Sequence, residues 1–115
     1  MAPAMARKPK TKKEVRSVYA ELGYPNPDEM AIKAQLVTKI GDIIKRRKLT
    51  QKEAAGIMGM TQAKVSQMLR GQFRGISQAK MLDCLAALGN DIEIRVKPIR
   101  RQRKTPGRIN VVYAA

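Results

Sequence analysis

The chain has 115 residues, the length of one domain, and 43% of them are hydrophobic. Its 24 Lys and Arg residues outnumber 9 Asp and Glu residues, and the resulting net charge of +15 indicates an anionic partner, with nucleic acid favoured over an anionic membrane surface. No apolar run approaches the ~20 residues that span a bilayer, which excludes a membrane span. The absence of histidine excludes the common histidine-dependent metal and acid–base sites. With one cysteine, an intramolecular disulfide is excluded as well.

The N-terminal part of the chain combines a basic arm with a short amphipathic helix. Residues 1–13 carry five basic side chains and two prolines, and we predict a disordered arm that either follows phosphates or only raises solubility. Apolar side chains at helical spacing then predict a helix over 14–22 that ends at Gly23. This stripe is expected to contact the chain's own core, a second subunit or a separate partner. It consists of Val15, Val18, Tyr19 and Leu22.

The longest predicted helix runs from Pro27 to about Lys48. Asn26 is expected to cap it, and Pro27 suits its first position. The basic run KRRK at its end complements the helix dipole and is an alternative phosphate contact. The predicted buried stripe consists of Met30, Ala34, Val37, Ile40, Ile43 and Ile44.

Two short helices joined by a glycine turn are predicted between Thr50 and Gly71. Thr50 with Glu53 forms a capping box, and Thr61 caps the second helix. Gly59 permits the positive φ of the turn, while small Ala55 allows the helices to cross closely. The inward positions are apolar: Ala54, Met58, Met60, Val65 and Met68. This spacing is that of a helix-turn-helix.

The second helix of such a motif enters the major groove with its N-terminal side chains at base edges. Gln62 and Gln67 are expected along one inner face, where glutamine can pair with adenine, while Lys64 can donate to guanine or phosphate and Ala63 can touch a thymine methyl. The alternative for each polar side chain is a solvated helix face. The full set of base-reading candidates is Gln62, Ala63, Lys64, Ser66 and Gln67.

Phosphate contacts are expected from two kinds of residue. Gln51 and Thr61 begin helices, where side chain and backbone N–H together favour an anion. Arginines after the second helix and in the basic C-terminal segment supply charge. The set is Gln51, Thr61, Arg70, Arg74, Arg100, Arg101 and Arg103.

A last helix and one or two strands are predicted at the C-terminus. Ser77 caps a helix to Leu88, and the alternation of Ile92, Ile94 and Val96 predicts a strand over Asp91–Lys97. This strand pairs either with 109–113 in a hairpin or with its copy across a two-fold axis. The long basic connection favours the two-fold arrangement, and hence a homodimer.

The motif resembles those of XRE-type, lambda-repressor/Cro-like regulators in the run LTQKEAAGIMGMTQAKVSQMLRG. The flanking runs VYAELGYPNPDEM and ISQAKMLDCLAALGNDIEIRVKP extend the likeness to HigA-like antitoxins. The resemblance implies a mainly α, lambda-repressor-like bundle over 14–90, followed by a short C-terminal β-strand or hairpin within 91–115. It implies a homodimer on a palindromic operator in double-stranded DNA, and a ribonuclease toxin of the HigB/RelE kind as partner.

Three functions are therefore open: an autorepressing antitoxin, a stand-alone repressor, and a toxin-neutralising interaction module. Non-specific nucleoid or RNA binding also fits the charge but leaves the helix-turn-helix unused. No catalytic constellation is present, so we expect no enzyme, no cofactor and no metal. Cysteine usage favours a reducing cytoplasmic or nucleoid location.

Overall fold

The part of the chain that the structure describes contains five helices. The structure, a computed structural model, describes residues 12–99 and 106–114. The predicted basic arm and the candidates Arg100, Arg101 and Arg103 therefore lie largely or wholly outside the described residues. In chain order the helices are α1 (Lys12–Glu21), α2 (Pro27–Arg46), α3 (Gln51–Met58), α4 (Gln62–Leu69) and α5 (Gln78–Ala87).

The α2 helix lies at the centre, in contact with α1, α4 and α5, while α3 packs on α4 and α5. Because several helices cover it, α2 is buried on more sides than its predicted stripe. Ala31, Ile32 and Leu36 join the core, whereas Ala34, predicted as buried, is only partly covered. No helix in the described part of the chain is long and apolar enough to cross a membrane.

Both predicted ends of α2 need correction. The Asn26 side chain makes no capping bond to the backbone; its Nδ2 instead donates to Glu29 Oε2 at 2.7 Å, so the acidic first turn competes for the capping side chain. The helix ends at Arg46, before the predicted Lys48, because Lys48 adopts a left-handed φ of 56°. Arg47 Nη1 donates to the Leu88 carbonyl at 2.9 Å, so this residue of the basic run caps the end of α5.

The apolar stripe of α1 divides between two environments. Tyr19 packs against the core, and its ring meets the ring of Tyr24 edge-on at 5.1 Å. Val15 is half-buried. Val18 and Leu22, however, are 40% and 67% exposed, so the chain's own core covers only part of the stripe.

The predicted C-terminal strand or hairpin is absent: no strand occurs within residues 12–99 or 106–114. Residues 91–99 have no regular structure and are exposed. The second candidate strand lies against α2 instead, where Tyr113 Oη donates to the Gln35 carbonyl at 2.7 Å and Lys39 Nζ lies 5.2 Å from the ring centroid. Val111 also packs against the core. The expected hairpin partner of 91–97 is thus occupied by α2, and a lone strand has no ladder of its own.

Candidate nucleic-acid interface

The predicted two-helix motif forms with its expected caps. Glu53 N donates to Thr50 Oγ1 at 3.0 Å and Thr50 N donates to Glu53 Oε1 at 2.9 Å, which completes the capping box. The backbone hydrogen bond from Thr50, together with the Thr50 side chain, lowers the pKa of the Glu53 carboxyl. Lys64 N donates to Thr61 Oγ1 at 3.1 Å at the start of α4. Both helices therefore begin at the predicted residues.

The turn between α3 and α4 depends on Gly59, whose φ of 66° is left-handed. The N–H groups of Gly59 and Met60 both donate to the Ala55 carbonyl, which closes the end of α3. Ala55, Val65 and Met68 are buried between the helices. Ile57, between these buried positions, is 37% exposed.

A lysine from a third helix completes this turn. Lys80 Nζ donates at 3.1 Å to the carbonyl of Met58, the last residue of α3. Lys80 lies in the first turn of α5, next to the N-cap Ser77, where its own helix dipole disfavours a positive charge. Its ammonium instead meets the negative C-terminal end of α3. The lysine thus holds α5 against the helix-turn-helix.

The exposed face of α4 carries nearly all the predicted base-reading residues. Gln62, Ala63, Lys64 and Gln67 are exposed, whereas Ser66 is half-buried. At about 100° per residue, the side opposite buried Val65 and Met68 is centred on Ala63 and Gln67. Gln62 and Gln67 lie about 140° apart on the helix. Gln67 therefore lies near the centre of the exposed face and Gln62 at its edge, so the two do not share one inner face as expected.

The predicted phosphate contacts have different surroundings. Gln51 is the first residue of α3, and the capping bond of Thr50 goes to Glu53, so the helix offers the N–H groups of Gln51 and Lys52 to an anion. Thr61 Oγ1 accepts the bond from Lys64 N, and its hydroxyl proton can still be donated to a phosphate. Both are exposed. Arg70 is the exposed C-cap of α4.

Arg74 is held from two directions. Its guanidinium lies over the Tyr24 ring, 5.2 Å from the centroid. Its carbonyl accepts a 3.0 Å hydrogen bond from the buried Lys33 Nζ, which also lies 3.5 Å from Glu29. The loop after α4 is therefore anchored to α2 through the backbone of Arg74. The Arg74 charge is shared with an aromatic ring, which makes it a weaker phosphate candidate than Arg70.

Sequence reasoning missed the two positioning lysines, Lys33 and Lys80. In the sequence, each of these lysines stands out only because its charge occupies an unfavourable position in its own helix. Lys33 interrupts an apolar run on the buried side of α2, and Lys80 places a positive charge at the wrong end of its own helix. Both ammonium groups bind carbonyls far along the chain, at Arg74 and Met58, so neither partner can be read from local spacing.

Other chemistry is scarce in the described residues. Across 12–99 and 106–114, no group of three His, Cys, Asp or Glu side chains is placed to hold a metal ion. Cys84 is buried beside Met60, with the two sulfur atoms 3.6 Å apart, and burial raises the pKa of its thiol. The exposed polar face of α4 remains the chief chemical feature of the fold.

Comparison with known proteins agrees with this geometry. Residues 18–97 match a family described as a helix-turn-helix domain. A solved structure assigned as an XRE family transcriptional regulator is similar, with 33% identity and a TM-score of 0.72, and the match covers 78% of this chain and 100% of that one. A comparison with curated proteins gave no match.

Proposed function

The chain belongs to the helix-turn-helix domain family, in its XRE type, and on this premise we propose that it represses transcription by binding a specific double-stranded DNA site. The observation that carries the proposal is the exposed polar face of α4, presented by two capped helices and a closed turn. The net charge of +15 supports an anionic partner. Association with the nucleoid would follow from this activity.

Division of labour within the interface is part of the proposal. Gln67, at the centre of the exposed face, and Gln62, at its edge, read base edges, with Lys64 and Ala63 beside them. Each good base contact is worth roughly 1–3 kcal/mol of discrimination. Gln51, Thr61 and Arg70 bind phosphates, which contribute affinity without sequence information.

Selection of bound DNA from a random pool tests the proposal directly. A specific regulator enriches a recurring half-site; a pool that remains random after repeated rounds would contradict sequence-specific binding. On the enriched site, Gln67→Ala should lose roughly 1–3 kcal/mol of affinity while keeping its affinity for random DNA.

Arg70→Ala is the matched control. It should weaken binding to the enriched and random sequences alike, and lower the slope of log affinity against log salt by about 0.9. Equal losses on both DNAs for Gln67→Ala would remove Gln67 from the base-reading set.

We further propose that the active form is a homodimer on a palindromic operator, since one recognition helix spans only a few base pairs. The selected site should then contain two inverted half-sites, about 34 Å or one helical turn apart. A single half-site without an inverted copy would argue for binding as a monomer.

A second function, neutralising a toxin, is favoured by one observation: Val18 and Leu22 on α1 are exposed while Tyr19 of the same stripe is packed. We propose this pair as the contact for a protein partner, with a HigB/RelE-like ribonuclease toxin as the candidate. The chain would then be an autorepressing antitoxin. Without such a partner it is a stand-alone repressor.

Co-expression with the product of a neighbouring toxin-like reading frame tests this second function. The double variant Val18→Ser, Leu22→Ser should lose toxin binding and keep operator binding. Ala20→Ser, at another exposed position of α1, is the control and should change neither. Toxin binding that survives the double variant would exclude this surface.

A further inference from the structure

The segment Asp91–Lys97, DIEIRVK, leaves an apolar face uncovered. The segment has no regular structure, and its apolar side chains become more exposed along its length: Ile92 is 39% exposed, Ile94 77% and Val96 92%. Strict alternation places these three on one side of an extended chain and the charged residues on the other. Such a segment in water exposes both an apolar row and a backbone edge that can pair.

The obvious partner within the chain is already engaged. Residues 109–113, the other candidate strand, lie along α2 through Val111 and through the bond from Tyr113 Oη to the Gln35 carbonyl. The exposed Glu93–Arg95 ion pair, 2.7 Å long, joins two residues of the segment itself and links it to no other part of the chain. An exposed pair of this kind contributes little to stability.

Charged residues at equal distances before and after the centre of the segment carry opposite charges. Asp91 and Glu93 occupy its first half, and Arg95 and Lys97 its second half, symmetrically about Ile94. We propose that Asp91–Lys97 pairs antiparallel with the same segment of a second copy of this chain, with the two-fold axis at Ile94. This pairing supplies an interface for the homodimer of the proposed function. Only its role on DNA rests on that proposed function; formation of the dimer does not.

This register satisfies every position of the segment. Asp91 faces Lys97 of the second copy, and Glu93 faces Arg95, so each charged residue has an opposite charge directly across. On the other face Ile92 meets Val96 and Ile94 meets its own copy. Both faces are therefore complementary at once.

Neighbouring registers are worse. A slip of two residues places either Glu93 against Glu93 or Arg95 against Arg95, and like charges directly opposite are destabilising. A slip of one residue turns the apolar face of one strand toward the charged face of the other. The charge order thus selects a single register and an antiparallel direction.

A two-stranded ribbon is only marginally stable by itself, so the pairing is expected to be reversible and to be measured at micromolar concentration. Full-length protein in analytical ultracentrifugation, without DNA, should sediment as a dimer. A monomer at micromolar concentration would overturn the proposal.

Charge reversal tests the register. In Glu93→Arg, residues 93 and 95 are both basic, and in Arg95→Glu both are acidic, so each variant alone should dimerise about tenfold more weakly. Mixing the two variants should restore dimers, because each basic position then faces an acidic one. The bond between residues 93 and 95 within each chain stays broken in the mixture, so recovery cannot come from it. A mixture that remains as weak as its components would contradict the register.

Disulfide trapping tests the axis. In the proposed register the Cα atoms of residue 94 in the two copies lie within about 4.5–5.5 Å, a distance that a disulfide can bridge. Ile94→Cys should therefore form a cross-linked dimer on mild oxidation. Val96→Cys alone should not, because its copy lies roughly 14 Å away along the ribbon, but it should cross-link to Ile92→Cys in a mixture.

The wild-type chain is the control, since its one thiol, Cys84, is buried. Efficient cross-linking of Val96→Cys to itself, with none at Ile94→Cys, would overturn the axis. Both experiments are made without DNA, so their outcome is distinct from that of the selection experiment: trapping at residue 94 supports the interface even if no operator is found, and an enriched operator does not rescue the interface if trapping fails.

Discussion

The helix-turn-helix and the segment Asp91–Lys97 are both clear sequence patterns, yet only the first finds its partners within the chain. Caps at Thr50 and Thr61 are satisfied three residues away, and the buried faces of α3 and α4 pack on each other and on the core. The alternating segment, by contrast, is exposed throughout. A sequence pattern therefore predicts the element that a segment can form. Whether the segment finds its partners within the same chain depends on the rest of the fold.

The largest expected effect is a loss in the free energy of unfolding, and it distinguishes a buried position in the helix-turn-helix from an exposed position in Asp91–Lys97. Met68→Ala removes a fully buried side chain and should lower the free energy of unfolding by about 2–5 kcal/mol. Val96→Ala, at a position that is 92% exposed, should change it by no more than about 0.5 kcal/mol at concentrations where the protein is monomeric. Urea titration measures both, and similar losses would erase the contrast.

The second prediction uses two glycines three residues apart. Gly59→Ala places a side chain at φ 66° and should cost about 1–2 kcal/mol. Gly56→Ala, in the middle of α3 with open space around the new Cβ, should instead stabilise by about 0.5–1 kcal/mol. Thermal unfolding should therefore shift in opposite directions. A shift in the same direction would mean that the turn does not require its left-handed residue.

The third prediction concerns the lysine that joins α5 to the turn. Lys80→Met removes the hydrogen bond to the Met58 carbonyl and should lower the free energy of unfolding by about 1.5 kcal/mol. It should weaken operator binding without changing the salt slope, because the Lys80 ammonium is bound to the Met58 carbonyl and positions the turn. Lys52→Met, at an exposed position of α3, is the charge-matched control for stability. A lower salt slope for Lys80→Met would instead identify Lys80 as a phosphate contact.

The smallest effect is expected where the C-terminal region does find a partner. Burial, and next the nearby Asp42 carboxylate, raise the pKa of Tyr113 from 10.0 to about 12. The folded state thus favours the neutral phenol, so this stabilisation is complete below pH 10 and is lost as the pH rises through about 12.

Ultraviolet titration should show a phenolate that forms only near pH 12, and Tyr113→Phe should remove that step. The variant should lose less than about 1 kcal/mol of stability, since its hydrogen bond lies at the surface. If all tyrosines ionise near pH 10, residues 106–114 are not held on α2.

The comparison also shows why some predictions succeeded. The caps at Thr50, Thr61 and Ser77, and the turn at Gly59, depend on neighbours within a few residues, so their spacing in the sequence contains the answer. Asn26 shows the limit of even local rules, because Glu29 competes for its side chain.

Hydrogen bonds between residues that are distant in the sequence could not be predicted from local sequence patterns. The bonds from Lys33 to the Arg74 carbonyl and from Lys80 to the Met58 carbonyl join residues that are distant in the sequence. The failed strand is a stronger case, since its proposed partner lies in another molecule. For α4, the helical periodicity of the sequence predicted the exposed face. Which of Gln62 and Gln67 contacts a base depends on the DNA partner, and the protein sequence alone does not specify it.

The closed turn between α3 and α4 has a consequence for the thermodynamics of association. Because Gly59 and Met60 already bond to the Ala55 carbonyl, and Lys80 to the Met58 carbonyl, the conformational entropy of the turn is lost on folding and not on binding. Docking of α4 on DNA should then resemble the meeting of rigid bodies. Calorimetry should show a heat-capacity change that matches the apolar surface of the interface alone, without the larger change that accompanies coupled folding.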